Sequence, residues 1–75
     1  MQYNQINPEL MQLVADYVVE QGLPVRCRPL WIARDLADDH GEDHLDRLRT
    51  TQTLKTSVQL CLGALGYVSE GVGGD

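Results

Sequence analysis

The sequence has 75 residues, of which 43% are hydrophobic and 23% charged, and a formal net charge of −5, which is enough for one small core and no second domain. A domain of this size leaves little room for a deep pocket that excludes water, so its length argues against an enzyme and a small-molecule substrate. No apolar run approaches the roughly 18 residues of a membrane span and the first ten residues are polar, so we expect a cytoplasmic protein without an export signal or a membrane anchor.

The first predicted helix covers residues 6–22 and has clear signals at both ends. Asn7 is a favourable N-cap, Pro8 suits the first helical position, and Gly22 is a typical stop. One face at three-and-four spacing is predicted to contact the core, and it consists of Leu10, Leu13, Val14, Tyr17 and Gln21.

A second set of residues widens the apolar arc of this helix beyond one face. It consists of Met11, Ala15, Val18 and Val19. Such an arc indicates either a helix that is covered on two sides within one chain or a helix that contacts another subunit. The second interpretation predicts a homodimer with these four residues in its interface, and both interpretations stay open.

The middle of the chain predicts a second helix over residues 29–39. Pro29 suits its first turn, and the preceding residues 23–28 form a short connection with room for one brief strand. The stretch from Asp38 to Leu48 is acidic. Its pattern fits either a short extra helix or a backward extension of the next helix, and the sequence does not decide between them.

The third predicted helix covers residues 50–66. Its apolar residues recur at steps of four, three and four, and they are Leu54, Val58, Cys61 and Leu65. Gly66 is predicted to be a left-handed cap. Residues 67–69 predict a short strand, and a glycine-rich tail follows to residue 75.

Two segments resemble the winged-helix and helix-turn-helix superfamily of DNA-binding domains. The run LWIARDLADD, residues 30–39, resembles the first helix of the helix-turn-helix. The run TTQTLKTSVQLCLGALGYV, residues 50–68, resembles a recognition helix that leads into the first wing strand. The resemblance implies a mostly α fold with a three-helix core and a short or incomplete wing. It also implies a repressor-like transcription regulator that binds double-stranded DNA, and a homodimer would suit two-fold operators.

The predicted third helix offers a set of DNA contacts. With its apolar stripe turned inward, at about 100° per residue, Gln52, Thr56 and Gln59 fall on the opposite face. Glutamine can pair with an adenine edge, threonine can contact a phosphate or a thymine methyl, and arginine and lysine neutralise phosphates. The candidate DNA-binding residues are Arg26, Arg28, Arg49, Gln52, Thr53, Lys55, Thr56 and Gln59.

The distribution of charge allows one positive face on an acidic protein. All six cations lie between positions 26 and 55, and no acid occurs from Arg47 to Ser69. Arginine outnumbers lysine by five to one and aspartate outnumbers glutamate by seven to four, a bias that resembles proteins of halophilic archaea and their viruses. In molar salt the Debye length is about 3 Å, so distant acids would hardly repel a phosphate backbone.

Other kinds of site fit the sequence less well than DNA binding. Cys27, His40, His44 and Cys61 have the chemistry of a zinc site, but the two cysteines lie 34 positions apart without a Cys-x-x-Cys pair, so we expect no metal and no other cofactor. The acidic segment does not fit a calcium loop, and no nucleophile and base have catalytic spacing. The main alternative is a helical protein-interaction module that binds no nucleic acid.

Overall fold

The computed structural model describes residues 6–69. In chain order the elements of this part are α1 (Pro8–Gln21), β1 (Arg26–Cys27), α2 (Pro29–His40), α3 (Glu42–Leu48), α4 (Leu54–Ala64) and β2 (Val68–Ser69). The prediction of a mostly helical fold is confirmed. No helix among residues 6–69 is long and apolar enough to cross a membrane, and the longest, α1, has 14 residues.

Local capping determines where α1 begins and ends. The Asn7 side chain accepts a hydrogen bond from the Glu9 backbone N–H at 2.8 Å, and Pro8 occupies the first helical position. Gly22 adopts a left-handed conformation with φ 61°, which directs its N–H to the carbonyls of Val18 and Val19. The predicted caps are confirmed, and the helix lies within the predicted range 6–22.

The core lies where α1, α2 and α4 meet, with α3 packed beside α2. Its buried hydrophobic residues are Leu10, Val14, Val18, Cys27, Ile32, Ala33, Leu36, Leu45, Leu48, Val58, Cys61 and Leu62. Along α1 the buried stripe advances in steps of four, which rotate it by about 40° per step. It therefore passes through Val18, and the prediction that Gln21 belongs to the core is wrong, because Gln21 is exposed.

The same rotation changes the predicted dimer interface. Val18 is only 3% exposed and belongs to the core, so its assignment to a subunit contact is wrong. Met11 and Ala15 are half-buried, whereas Val19 is 76% exposed. Any subunit contact on α1 would therefore be centred on Val19.

The acidic link between α2 and α4 contains a separate helix, α3. Gly41 has φ 97° and ψ 131° and interrupts the helical path. Its N–H donates to the Ala37 carbonyl and its carbonyl accepts from the Leu45 N–H, so it closes α2 and opens α3. Of the two alternatives that the sequence left open, the short extra helix is confirmed.

The two strands pair in parallel and connect the beginning of α2 with the chain that follows α4. Arg26 is opposite Val68 and Cys27 is opposite Ser69. The brief strand within residues 23–28 and the strand within residues 67–69 are confirmed. The predicted positive φ of Gly66 is also confirmed, at 90°. The predicted glycine-rich tail lies outside the described residues, and so does any wing beyond residue 69.

Candidate nucleic-acid interface

Helix α4 presents one buried and one outward face. The buried face carries Ser57, Val58, Cys61 and Leu62. On the other side Thr56 and Gly63 are exposed, and Gln59 and Leu60 are half-buried. The structure therefore places Thr56 and Gln59 outward, as the periodicity predicted.

The start of α4 differs from the prediction. The helix begins at Leu54 instead of residue 50, because Thr53 is the N-cap: it has extended backbone angles, and its side chain accepts from the Thr56 N–H at 3.2 Å. Gln52 therefore lies in the preceding turn. Its predicted placement on one helical face with Thr56 and Gln59 is wrong.

A buried hydroxyl organises this turn. The Ser57 Oγ accepts hydrogen bonds from the backbone N–H groups of Thr50, at 2.9 Å, and Thr51, at 3.2 Å. The Thr51 hydroxyl donates its one proton to the Thr53 carbonyl at 2.8 Å. Since Thr51 Oγ1 and Ser57 Oγ are also 2.8 Å apart, Ser57 is the donor in that pair. Ser57 thus uses its proton and both lone pairs to position the turn before α4.

Arg49 is directed at the same turn. Its Nη1 donates to the carbonyls of Thr51, at 2.6 Å, and Gln52, at 3.0 Å, and its Nε lies 3.6 Å from a carboxylate oxygen of Asp46. The predicted phosphate contact through Arg49 would have to coexist with these bonds. In the described fold, Arg49 stabilises the loop that carries Gln52.

The first turn of α4 borders a groove of about 470 Å³ between α2, α3 and α4. The groove is lined by Leu30, Ala33, Arg34, Ala37, Asp38, Glu42, Asp46, Thr53, Leu54 and Lys55. Three of these residues are acidic, so Lys55 shares a surface with carboxylates. Sequence analysis missed this feature because the acid-free run from residue 47 to residue 69 describes neighbours in the chain and not neighbours in space.

The remaining candidate cations lie towards the other end of α4. Arg26 and Arg28 are exposed, and Arg26 is opposite Val68 in the strand pair that follows α4. Lys55 is in the first turn of α4, which has 11 residues and so a length of about 16 Å. The predicted phosphate contacts are therefore divided between the two ends of this helix.

Helix α4 itself carries no carboxylate, although three carboxylates from other helices border its first turn. Within residues 6–69, each of α1, α2 and α3 carries three acidic residues and α4 carries none. The acidic residues are Glu9, Asp16 and Glu20 on α1, Asp35, Asp38 and Asp39 on α2, and Glu42, Asp43 and Asp46 on α3. Both ends of α4 have arginines nearby, and its outward face is uncharged.

The four candidate zinc ligands occupy separate places. Cys27 and Cys61 are both buried, and burial raises the pKa of Cys61 to about 11. His44 lies 3.4 Å from a carboxylate oxygen of Glu9, and His40 ends α2. In the part of the chain that the structure describes, no three histidine, cysteine or acidic side chains form a group that could hold a metal ion.

Comparisons with protein-family models, with curated proteins and with solved structures gave no match. The resemblance to winged-helix domains therefore remains a prediction from two sequence segments.

Proposed function

We propose that this protein binds double-stranded DNA by inserting α4 into the major groove and acts as a repressor-like transcription regulator. The observation that carries the proposal is the segregation of charge, since α4 has no carboxylate whereas α1, α2 and α3 have three each. Phosphates repel carboxylates, so α4 is the helix that can approach a duplex most closely.

The outward face of α4 has the chemistry that base recognition needs. Gln59 projects from the helix and Gln52 from the turn before it, and glutamine can form a paired hydrogen bond with an adenine edge. Thr56 is exposed between them and offers a hydroxyl and a methyl group. The major groove, about 12 Å wide, admits a single α-helix.

Gly63 supports close approach of a partner on this side of α4. A glycine within a helix costs about 1 kcal/mol relative to alanine. A Cβ at Gly63 would meet no atom of the described chain within 4 Å, so packing within the fold does not require this glycine. A bound partner whose surface comes close to the helix backbone would explain a glycine at this position.

The turn before α4 is held in one conformation, which favours specific recognition. Ser57 and Arg49 together fix the backbone of Thr50, Thr51 and Gln52 through the hydrogen bonds described above. A side chain on a fixed turn loses less conformational freedom when it binds. Gln52 is therefore in a favourable place for a base contact despite lying outside the helix.

Cations at both ends of α4 would contact the two phosphate backbones that border the major groove. Arg26 and Arg28 would contact one phosphate backbone, and Lys55 would contact the other. This division fits a helix of about 16 Å in a groove of about 12 Å. Such contacts fix the orientation of the protein on the duplex, and the glutamines read the sequence.

The test is a titration of the protein with mixed genomic DNA fragments at several salt concentrations, with sequencing of the bound fraction. We expect Lys55→Ala to weaken binding to all sequences and to reduce the salt slope by about one unit. Gln59→Ala should cost about 1–3 kcal/mol on the enriched sequence and little on random DNA. The matched controls are Arg47→Ala on α3 and Gln21→Ala on α1, both at exposed positions.

The controls should leave both the salt slope and the enriched sequence unchanged. Absence of DNA binding at moderate salt, or equal effects of the α4 variants and their controls, would contradict the proposal. A helical protein-interaction module would then be the better description. The 76% exposure of Val19 on α1 is the observation that favours this second candidate.

A further inference from the structure

The groove between α2, α3 and the first turn of α4 combines an apolar lining with a row of carboxylates. Its apolar side chains come from α2 and from Leu54 at the start of α4. The carboxylates of Asp38, Glu42 and Asp46 follow one another at steps of four residues along α2 and α3. A volume of about 470 Å³ is large enough to receive side chains of another molecule.

Two of these carboxylates have no cationic partner among residues 6–69. Asp46 is paired with Arg49, but no ion pair joins Asp38 or Glu42 to a described cation. Arg34 also lines the groove, yet its guanidinium lies over the Trp31 ring, 5.4 Å from the ring centroid. The groove therefore offers two carboxylates to a cation from outside the described fold.

Large apolar side chains are exposed at the edge of the same groove. Leu30 is 43% exposed and lines the groove, and the adjacent Trp31 is 54% exposed. Arg34 joins the two features, because it lines the groove and stacks on Trp31. Exposed tryptophan and arginine side chains beside a concave apolar surface are typical of protein-binding sites.

We propose that this groove binds a basic, amphipathic segment of a partner protein. Lysine or arginine side chains of the segment would reach Asp38 and Glu42, and their aliphatic stems would cover the apolar lining. An apolar neighbour in the segment would pack on Leu30 and Trp31. Charge complementarity selects this occupant, because an acidic segment would leave both carboxylates unpaired.

The groove overlaps the proposed DNA surface. Thr53 and Lys55 line the groove and also lie at the end of α4 that would approach a phosphate backbone. If the proposed function is correct, the basic segment and DNA bind in competition. The partner would then release the protein from DNA.

The fluorescence of Trp31 can report binding to the groove, since Trp31 is the only tryptophan in the chain. The probe is a short synthetic peptide of alternating arginine and leucine, with a matched peptide that has glutamate in place of arginine. We expect a saturable change of Trp31 fluorescence with the arginine peptide only. The double variant Asp38→Asn/Glu42→Gln should weaken binding of the arginine peptide about tenfold.

The control for net charge is Asp16→Asn/Glu20→Gln, which removes two carboxylates from α1. It should leave the affinity for the peptide unchanged. Equal weakening by the two double variants would overturn the proposal, since it would indicate general attraction to an acidic protein. Absence of a saturable change would also overturn it. Self-association of the unmodified protein that is lost in Asp38→Asn/Glu42→Gln, measured by sedimentation, would overturn it as well, because the occupant would then be a second copy.

A DNA-displacement experiment distinguishes failure of this proposal from failure of the proposed function. The arginine peptide should displace DNA from the unmodified protein but not from Asp38→Asn/Glu42→Gln. Equal displacement from both proteins would mean that the peptide acts on the DNA itself, which contradicts competition at the groove. If the protein binds no DNA, the proposed function fails, and the fluorescence titration still decides whether the groove binds the peptide.

Discussion

Ser57 is the one buried polar residue among the described residues, at 1% exposure, and its side chain determines the shape of the turn before α4. It lies among the apolar residues of the helix, where a methyl group would serve the packing equally well. The hydroxyl is needed because the backbone N–H groups of Thr50 and Thr51 have turned inward and require an acceptor. A single side chain in the core thus determines the conformation of a turn at the surface.

Replacing Ser57 with alanine tests this role. The substitution removes one acceptor for two N–H groups and one donor to Thr51, so we expect the free energy of unfolding to fall by about 1–3 kcal/mol. Denaturant titration gives this value. Gln21→Ala on α1 is the control, because Gln21 is exposed, and it should cost less than about half a kcal/mol. Equal stabilities of the Ser57 variant and the unmodified protein would contradict the role assigned to the hydroxyl.

Tyr17 gives the fold a dependence on alkaline pH. Burial and a hydrogen bond to the Asp35 carboxylate raise the pKa of Tyr17 from 10.0 to about 12. The folded state therefore favours the protonated phenol. The stabilisation is complete below pH 10 and is lost as the pH rises from 10 to 12.

We expect this pH dependence to be smaller in Tyr17→Phe. Denaturant titrations of both proteins between pH 9 and 12 measure the difference, and phenolate absorbance locates the late-titrating tyrosine. Asp35→Asn should lower the pKa of Tyr17 towards its ordinary value, because it removes the carboxylate charge. Titration of every tyrosine near pH 10 in the unmodified protein would contradict the prediction.

At the scale of elements, the sequence predicts best where local chemistry is decisive. Asn7, Pro8 and Gly22 determine the ends of α1 through contacts within a few residues, so α1 could be delimited from the sequence. The start of α4 could not, because Thr50, Thr51 and Thr53 are all good N-caps. In the structure Thr53 is the cap, because the Ser57 hydroxyl, six and seven residues along the chain, holds Thr51 and Thr50 in the preceding turn.

The apolar arc of α1 shows a related limit. Periodicity identified an apolar surface wider than one face, but it could not separate the part covered within the chain from the part left open. Val18 is buried in the core, because the buried stripe moves around the helix in steps of four residues. Val19, its neighbour, is left at the surface.

The homodimer predicted from α1 therefore depends on Val19. We expect Val19→Glu to raise the dissociation constant of the dimer while changing the free energy of unfolding by about half a kcal/mol or less. Sedimentation at several concentrations measures the association. Gln21→Glu adds the same charge at an exposed site of the same helix and should leave association unchanged. A monomeric unmodified protein would exclude this dimer.

At the scale of the whole molecule, the arrangement of charge is the feature that sequence analysis predicted only in part. The acid-free run from residue 47 to residue 69 correctly singled out α4 as the helix without carboxylates. The fold then brings Asp38 and Glu42 from other helices to the edge of its first turn. That position depends on how α3 packs against α2, which no local pattern in the sequence encodes.

Segregated charge would also orient the protein on DNA. The carboxylates of α1 and α2 gather on a surface away from α4: Asp16, Glu20 and Asp39 line a shallow groove of about 240 Å³ to which α4 contributes no residue. A duplex that met this surface would be repelled. Approach through the α1–α2 groove is therefore disfavoured.

The same carboxylates should make the stability of the fold depend on salt. Acidic residues outnumber lysine and arginine by nine to six among residues 6–69, and Asp16, Glu20 and Asp39 repel one another across the α1–α2 groove. Salt screens this repulsion, so we expect the melting temperature to rise from low to molar sodium chloride. Glu20→Gln/Asp39→Asn should raise the melting temperature at low salt by about 2–4 °C, as a gain of about half a kcal/mol would in a domain of this size. The variant should also gain less from added salt.

Salt can stabilise a protein in a second way, by strengthening apolar burial, and that effect would be equal in both proteins. Thermal melts of the two proteins across the salt series separate the two causes, and parallel salt dependences would show that repulsion between these carboxylates is not the cause.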